Sequence, residues 1–506
     1  MTESIRLAVI SGVFLCGLFG WSLTGYAGGA AGLALGAAGL VLPWWRQPLW
    51  SWAALFAHRN RTIQYVEPVT VANDRSSGGV RFQDGITVTA LVLLGKPYQP
   101  TVFAGSAATQ SANTIDVSEL HGLMTQSLGL TIESISVVCT GSRRGNAGDF
   151  PRIYDTLIGP SPYAGRRETW LIIRIRSLAN GEALKCRDSA GIAALAATQR
   201  IAAALRCRGI RVKVASASEM IELDRRLGTR CLEPANRRWR ALRDDSGWRS
   251  TYAYRPVDLT SSALSQAWSL PADAITQNLT IGSDGGVTAT VTVHTAQPAT
   301  APPSVMLQTL PGRQAAAVAA SMCIPRPEIR GLGKGRLQRG LIREVGSSGV
   351  LLGRSASGDR MSLPLTDPGQ HSRVHIAADD AIAKRIVART AATGERITVH
   401  TADASRWDSV RMPNVAITDQ PRPARGSTVS VVDGTVQAVP RPRTVISVSP
   451  ADTPQVSADV EIAQTAPGVI RVTAAGVSNF VEVEFFRAEN RYASVRSVDP
   501  AAVAVD

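Results

Sequence analysis

Apolar positions along this chain fall into three successive patterns: a long uncharged run near the N-terminus, short alternating runs through most of the length, and a final stretch rich in Ser, Thr, Val and Pro. The first run, 7–45, contains no Asp, Glu, Lys, Arg or His. A helix crosses the hydrocarbon layer of a bilayer with about 20 apolar residues, so this run is long enough for two crossings. We therefore predict two transmembrane helices, at about 7–24 and 27–45, that form a hairpin.

A cleaved secretory signal peptide over 1–27 is the alternative, because Arg6 precedes the apolar run and small residues flank Tyr26. Cleaved leaders are normally followed by polar sequence, whereas 28–45 is as apolar as the segment before it. Basic residues flank both outer ends of the hairpin and none lies in its turn, which predicts that both ends face the cytoplasm. The pattern thus predicts a multi-pass protein of the inner (plasma) membrane with a large cytoplasmic body.

Small residues recur at a four-residue spacing in both predicted helices. Such residues line one helix face and allow two backbones to approach closely, although Gly and Ala are also common elsewhere in this chain. The spacing predicts that the two helices pack through five glycines: Gly12, Gly20, Gly28, Gly32 and Gly36.

Tryptophan and arginine cluster directly after the apolar run, and five of the ten Trp lie within the first 52 residues. Clustered Trp beside Arg is typical of the headgroup layer of a membrane, and 48–57 is predicted to form an interfacial helix. The residues predicted to lie at the membrane interface are Trp44, Trp45, Arg46, Trp50 and Trp52.

The remaining chain alternates between strand-like and helix-like periodicity. Over 80–228 the element order is β-α-β-β-α-β, which predicts a ferredoxin-like sandwich with helices on one face of a sheet. The clearest strand is 169–176, and the clearest helix is 190–207, which ends before Gly209. The predicted fold class is a membrane-anchored α+β protein, in which the transmembrane hairpin is followed by cytoplasmic α/β sandwich domains. Its predicted parts are the hairpin with the Trp-rich segment (1–61), a ferredoxin-like domain (62–236), a second α+β domain (237–418) and a Pro/Val-rich β or weakly ordered tail (419–506).

The formal net charge of +14 comes almost entirely from Arg. These arginines are scattered and do not alternate with aromatic residues as on a nucleic-acid-binding surface, so no nucleic-acid partner is predicted. A basic body is instead suited to the anionic inner leaflet of the lipid bilayer. The six Cys form no C-x-x-C pair and fit buried thiols in a reducing compartment.

The motifs that most resemble catalytic or cofactor sites each lack a required part. The Gly-rich loop 331–336 has Gly335 after Lys334, where a phosphate-binding loop needs a Ser or Thr for magnesium. His371 and His375 have metal-ligand spacing but no third ligand nearby. Two pairs of adjacent carboxylates need no catalytic role. Asp244 and Asp245 lie in an Arg-rich run and are expected to be solvated, and Asp379 and Asp380 begin a predicted helix, whose dipole favours acidic residues.

No catalytic, cofactor-binding or metal-binding residue is therefore predicted, and the chain is not expected to be an enzyme. The alternative hypothesis is a membrane-tethered, transferase-like enzyme that acts on a lipid-linked or nucleotide substrate. Enzymatic activity retained by residues 62–506 would favour that alternative.

Several spaced motifs resemble one known family, the EccE component of the actinobacterial type VII (ESX) secretion membrane complex. The strongest is Arg166-Arg167-x-Thr169-Trp170-Leu-Ile-Ile-Arg174, and the others are the N-terminal hairpin, 97–101, 349–353, 363–365 and 389–400. The resemblance covers roughly 1–412 and implies a non-enzymatic structural subunit, without cofactor, that scaffolds protein export across the inner membrane. It also implies that the partners are EccB, EccC, EccD and the mycosin protease, with the ATPase motors in EccC. The stretch after 419 departs from what the family leads us to expect.

Overall fold

The computed structural model describes residues 3–41, 43–44, 47–48, 52, 55–57, 63–74, 76–105, 108–185, 187–299, 301–326, 329, 331–439, 442–453 and 457–494. Helices in this part of the chain range from single turns to 22 residues. Their bounds are α1 Glu3–Thr24, α2 Tyr26–Val41, α3 Val117–Gly122, α4 Phe150–Ile158, α5 Gly181–Leu184, α6 Ala190–Cys207, α7 Ala217–Leu227, α8 Ser261–Gln266, α9 Gln314–Ala319, α10 Asp380–Ala392 and α11 Ala404–Trp407.

Strands up to the middle of the chain are β1 Pro43–Trp44, β2 Gln47–Pro48, β3 Val69–Ala72, β4 Ser77–Gln83, β5 Ile86–Gly95, β6 Thr101–Ala104, β7 Ala108–Ser111, β8 Thr114–Asp116, β9 Ser134–Ser142, β10 Arg166–Arg176, β11 Arg211–Val214, β12 Leu242–Asp244 and β13 Gly247–Tyr254. Those that follow are β14 Ala274–Gly282, β15 Gly286–Thr295, β16 Leu307–Thr309, β17 Gly335–Arg336, β18 Ile342–Glu344, β19 Val350–Ser355, β20 Arg360–Leu363, β21 Ser372–Ala377, β22 Ile397–Thr401, β23 Val415–Thr418, β24 Val429–Asp433, β25 Thr444–Ser449, β26 Val460–Ala466, β27 Val469–Ala474 and β28 Val477–Val483.

The N-terminal run folds into two helices, α1 and α2, that turn back on each other at Gly25, whose φ is +69°. Within the described residues no helix is both long and apolar enough to cross a membrane. For α2 the reason is its length, because 16 residues at 1.5 Å each extend about 24 Å, against a hydrocarbon core of about 30 Å. The prediction of two transmembrane helices, and with it that of a multi-pass protein, is therefore not supported; the structure shows a helical hairpin only.

A first large sheet carries the predicted β-α-β-β-α-β segment. Its path is β12-β13-β15-β14-β9-β10-β5-β4-β3, and β11 also pairs with β5. The run β9-β10-β5-β11 is antiparallel throughout, as in a split-βαβ sheet. The helix expected at 190–207 is confirmed as α6. It begins there because the side chain of Ser189 accepts a hydrogen bond from the backbone N–H of Ile192.

Helices cover both faces of this sheet, whereas the sequence predicted one covered face. Successive residues of a strand point to opposite faces, and neighbours in β5 and β10 belong to different cores. One core joins Leu91 and Leu171 to Ala194, Ile201 and Leu205 of α6. The other core joins the alternate strand residues to α7, through Ala90, Ile172, Met220, Leu223 and Leu227.

The first sheet continues past the domain boundary predicted at 236/237. Strand β14 pairs with β9 over eight residues, with Leu279 opposite Val137, and β12, β13 and β15 extend the sheet further. The sheet therefore contains strands from both the predicted 62–236 and the predicted 237–418 domains. The division of the chain into four parts stays a prediction.

A second 12-stranded sheet has the order β23-β22-β24-β25-β21-β26-β27-β28-β19-β20-β6-β7. The first six strands of this order, β23-β22-β24-β25-β21-β26, are parallel to one another. Helix α10 packs on one face of the sheet through residues such as Ile382 and Ile386. The stretch predicted as a β-rich or weakly ordered tail supplies β24 to β28, and β24 and β25 lie inside the sheet. The fold is thus a mixed α+β arrangement of two large sheets.

Buried arginines fasten distant segments to the first sheet. Arg81 of β4 forms an ion pair of 2.9 Å with Asp224 of α7, with both side chains almost fully buried. Arg174 of β10 donates to the carbonyl oxygens of Met322 and Ile324 and to the hydroxyl of Ser136. Burial lowers the pKa of Arg174 to about 10, and its three acceptors compensate for much of the lost hydration of the charge.

Candidate functional site

Close backbone contact occurs where α1 and α2 pack, at glycines that the sequence predicted. A Cβ atom on Gly20 would collide with the carbonyl oxygen of Gly28, and one on Gly28 would collide with that of Gly20. A Cβ atom on Gly32 would collide with the carbonyl oxygen of Cys16. Any larger residue at these positions would therefore push the two helices apart.

The other predicted glycines differ in their surroundings. A Cβ atom on Gly36 would lie 2.9 Å from the Cβ of Cys16, whereas nothing lies within 4 Å of one on Gly39. Gly12 is half-buried. The four-residue spacing misses Gly17, where a Cβ atom would lie 2.6 Å from the side chain of Leu33. The role of these glycines in assembly stays a prediction.

The outer surface of the hairpin is apolar. Its exposed large hydrophobic side chains have between 43% and 82% of their surface accessible: Leu7, Ile10, Phe14, Leu15, Leu18, Phe19, Trp21, Leu23, Tyr26, Leu33 and Leu35. A contiguous apolar surface on a protein marks a region that another apolar surface covers. Among the described residues, the hairpin is therefore the strongest candidate for a surface that associates with another apolar surface.

The Trp-rich segment leads from the hairpin to the first sheet. Trp44 lies in β1, which pairs with β2. Pro48, the predicted first residue of the interfacial helix, is the second residue of β2 and therefore belongs to a strand. A proline lacks an N–H donor and is tolerated at the edge of such a short ladder. Trp45, Arg46 and Trp50 lie outside the described residues.

Trp52 connects this segment to the body of the protein. Its ring centroid lies 6.0 Å from that of Trp239, at an interplanar angle of 36°. Trp239 in turn packs over Gly312, where a Cβ atom would lie 2.8 Å from its ring. Sequence reasoning missed Trp239, although its place in Arg237-Arg238-Trp239-Arg240 resembles the Trp-Arg cluster at 44–46.

The Gly-rich loop is part of a sheet edge. Gly335 and Arg336 form β17, which pairs with Gly286 and Val287. The ammonium group of Lys334 lies 3.6 Å from the carboxylate of Asp284. A phosphate-binding loop needs a strand-loop-helix context, and here the lysine side chain is next to a carboxylate in the turn between β14 and β15.

The two histidines with metal-ligand spacing do not share an environment. His371 is exposed, whereas His375 is buried beside β25. The ring nitrogens of His375 lie 2.9 Å from the hydroxyl of Ser447 and 3.2 Å from that of Ser449. Across the described ranges, no group of three or more His, Cys, Asp or Glu side chains is arranged to hold a metal ion.

The carboxyl ends of the parallel strands hold internal ion pairs. In open α/β sheets this edge is the usual ligand site. Here Arg406 donates to Asp380 at 2.9 Å and to Asp433 at 2.7 Å, and the indole N–H of Trp407 donates to Asp433 at 2.6 Å. Burial raises the pKa of Asp380, but the hydrogen bonds and charge of Arg406 outweigh it and lower that pKa. The protein's own arginine therefore occupies this edge.

Asp379 and the first carboxylate pair also have local roles. The side chain of Asp379 accepts from the backbone N–H of Ile382 at the start of α10, as predicted for a helix start. Asp244 forms an ion pair of 2.6 Å with Arg249, and Asp245 one of 3.2 Å with Arg230.

Comparison with known proteins identifies the family. A family model for EccE, whose description names the type VII ESX secretion system translocon, matches residues 163–254. The chain is 46% identical over 517 residues to the ESX-2 secretion system protein EccE2 of Mycobacterium tuberculosis (strain CDC 1551 / Oshkosh), which covers 97% of this chain and 96% of that protein. It is 32% identical over 177 residues to the ESX-5 secretion system protein EccE5 of Mycobacterium marinum, over 33% of this chain and 44% of that protein.

A further relative is the ESX-1 secretion system protein EccE1 of Mycobacterium tuberculosis, 28% identical over 33% of this chain and 38% of that protein. All three are named as components of ESX secretion systems. The chain belongs to the EccE family, so the resemblance noted in the sequence is confirmed. The match to EccE2 extends into the stretch after 419, because it spans 97% of the chain; that stretch is therefore not foreign to the family.

Proposed function

We propose that this chain is a structural, non-catalytic subunit of a type VII (ESX) secretion machine, associated with the inner membrane, where it scaffolds the export of proteins. The observation that carries the proposal is the match to EccE2 along nearly the whole length of both chains. The other subunits of such a machine are then its partners, and EccB, EccC, EccD and the mycosin protease are the proposed ones.

The internal pairing of polar groups supports a non-catalytic role. A catalytic acid, base or nucleophile must be able to reach a substrate, yet Asp380 and Asp433 pair with Arg406, and Asp224 pairs with Arg81. These pairs connect elements distant in sequence, as expected of groups that hold a scaffold in one shape. No described feature favours the alternative of a transferase-like enzyme.

The apolar outer surface of the hairpin supports membrane association. Side chains such as Ile10, Phe14 and Phe19 are more than 60% exposed, and each buried apolar side chain contributes about 1.5–3 kcal/mol when it leaves water. Lipid and neighbouring subunits are the surroundings that would supply this gain. The contact of Trp52 with Trp239 then links the hairpin to the two-sheet body.

The experiment is native purification of the tagged full-length chain from its own cells in mild detergent, followed by mass spectrometry. We expect stoichiometric recovery of other type VII membrane subunits, and loss of that recovery when 3–41 are deleted. The same preparations are assayed with nucleotides and lipid-linked substrates, for which no turnover is expected. Recovery of the chain without any secretion subunit, or substrate turnover by the purified chain, would overturn the proposal.

A further inference from the structure

A concave, positively charged site lies beside the second sheet, in loops that are rich in Pro and Arg. An open pocket of about 700 Å³ is lined by residues 422–427 and by Pro442. Two of its lining residues, Arg422 and Arg425, are exposed. The pocket belongs to the loop that follows β23, away from the ion pairs of Arg406.

The loop that forms the pocket is fixed to the sheet beneath it. The hydroxyl of Thr398 in β22 accepts from the backbone N–H of Ala424 at 3.1 Å and donates to the hydroxyl of Ser427 at 3.0 Å. The backbone N–H of Ser427 donates to the carbonyl oxygen of Ala424 at 3.0 Å, and that of Val439 donates to Pro421 at 2.8 Å. The pocket is therefore preorganised, which reduces the entropy that binding must overcome.

A third arginine adds to the charge of the pocket. A Cβ atom on Gly426 would lie 3.0 Å from the guanidinium of Arg396, so this guanidinium lies against the pocket wall. Among the described residues, the side chains of Arg396, Arg422 and Arg425 form no hydrogen bond or ion pair. The neighbouring carboxylate of Glu395 accepts from Thr428 at 2.5 Å and lies 3.8 Å from Arg166. Three unneutralised guanidinium groups around one cavity favour an anionic occupant.

We propose that this arginine pocket docks an acidic segment of a partner protein, whose carboxylates bind Arg422 and Arg425. The guanidinium group binds carboxylates through two parallel hydrogen bonds, and Pro423 and Pro442 offer an apolar wall to the peptide between the carboxylates. The residues lining the pocket include no aromatic side chain on which a base could stack. A concave site on fixed loops is also a poor match for the flat surface of a bilayer. The inference goes beyond the proposed function, because it can be tested whether or not the chain assembles into a secretion machine.

The test measures binding of a fluorescent peptide of alternating Asp, Glu and Gly to the purified full-length chain by anisotropy. The pocket variant is Arg422→Ala/Arg425→Ala. The control variant is Arg200→Ala/Arg339→Ala, which removes the same charge from exposed positions elsewhere. We expect the pocket variant to bind at least about tenfold more weakly, because charge-assisted bonds to each carboxylate are lost. The control variant should bind like the parent chain.

Further arms separate the pocket from general charge. In Arg422→Lys/Arg425→Lys the charge is kept but the paired bonds are lost, so intermediate binding is expected. A peptide with Asn and Gln in place of Asp and Glu should not bind. Equal weakening in the pocket and control variants would overturn the proposal. Tighter binding of anionic-lipid vesicles or single-stranded RNA than of the peptide, abolished by the pocket variant, would overturn it too.

Discussion

Arg389 and Glu489 form a doubly hydrogen-bonded ion pair in which both side chains are only 1% exposed. The two bonds are 2.8 and 2.7 Å long, and Arg389 also donates to the carbonyl oxygens of Leu351 and Glu484. The pair fastens the C-terminal turn Arg487–Tyr492 to α10 and to β19. Burial lowers the pKa of Arg389, but the bonds and charge of Glu489 outweigh it and raise that pKa.

The first prediction removes the carboxylate of this pair. Glu489→Gln leaves the buried guanidinium of Arg389 without the carboxylate that pairs with it, which costs about 3–5 kcal/mol. The free energy of unfolding, measured by denaturant titration of the full chain, should fall by that amount. The control is Glu482→Gln on β28, where the side chain is exposed and a change within about 0.5 kcal/mol is expected. Equal effects of the two substitutions would show that the pair does not stabilise the fold.

The second prediction concerns the helical hairpin. Gly32→Leu/Gly36→Leu places side chains where the backbone carbonyl and the side chain of Cys16 on α1 leave no room, so the hairpin should open and recovery of partner subunits should fall. Gly39→Leu adds the same side chain where nothing lies within 4 Å of the Cβ position, and should assemble normally. Co-purification of the full-length variants measures both. Normal assembly of the double variant would mean that these glycines reflect composition alone.

The third prediction concerns the Gly-rich loop. Lys334→Ala removes a partly exposed side chain that faces Asp284, and the following Gly335 offers no hydroxyl for magnesium. Isothermal titration with ATP and magnesium should show the same absence of binding in parent and variant. ATP binding by the parent that disappears in the variant would contradict this and support the enzymatic alternative.

The fourth prediction follows from two buried histidines. Burial lowers the pKa of His294 and of His375 below the usual 6.5, and the charge of Arg249 adds to the effect at His294. As pH falls below 6.5, the unfolded chain therefore takes up protons before the folded chain does, and stability declines until pH passes the lowered values. The thermal midpoint should decrease between about pH 7 and about pH 5.

The double variant His294→Gln/His375→Gln should show a smaller decrease over that interval. His371→Gln is the matched control, because that side chain is exposed beside the same strand as His375. An unchanged pH profile in the double variant would assign the decline to other groups.

Local periodicity determined which elements form. The strand predicted at 169–176 lies within β10, and the helix predicted at 190–207 has those bounds as α6. Both depend on side-chain spacing and on end residues such as Ser189, which act within a few residues of sequence. The spaced motifs around 166–174 likewise identified the family, and the glycine spacing indicated four positions where α1 and α2 come into close contact.

Tertiary structure decided what the spacing could not. Alternation fixes which face of a strand is buried but not which strand lies next to it, because the backbone groups of every strand are alike. It therefore could not show that β14 pairs with β9, or that β24 and β25 lie inside the second sheet. Nor could it show that Arg389 and Glu489 meet across 100 residues of sequence, since only the packed fold brings them together. Apolar composition likewise predicted two membrane crossings, whereas the length of α2 is set by where the chain turns at Gly25 and where the helix ends at Val41.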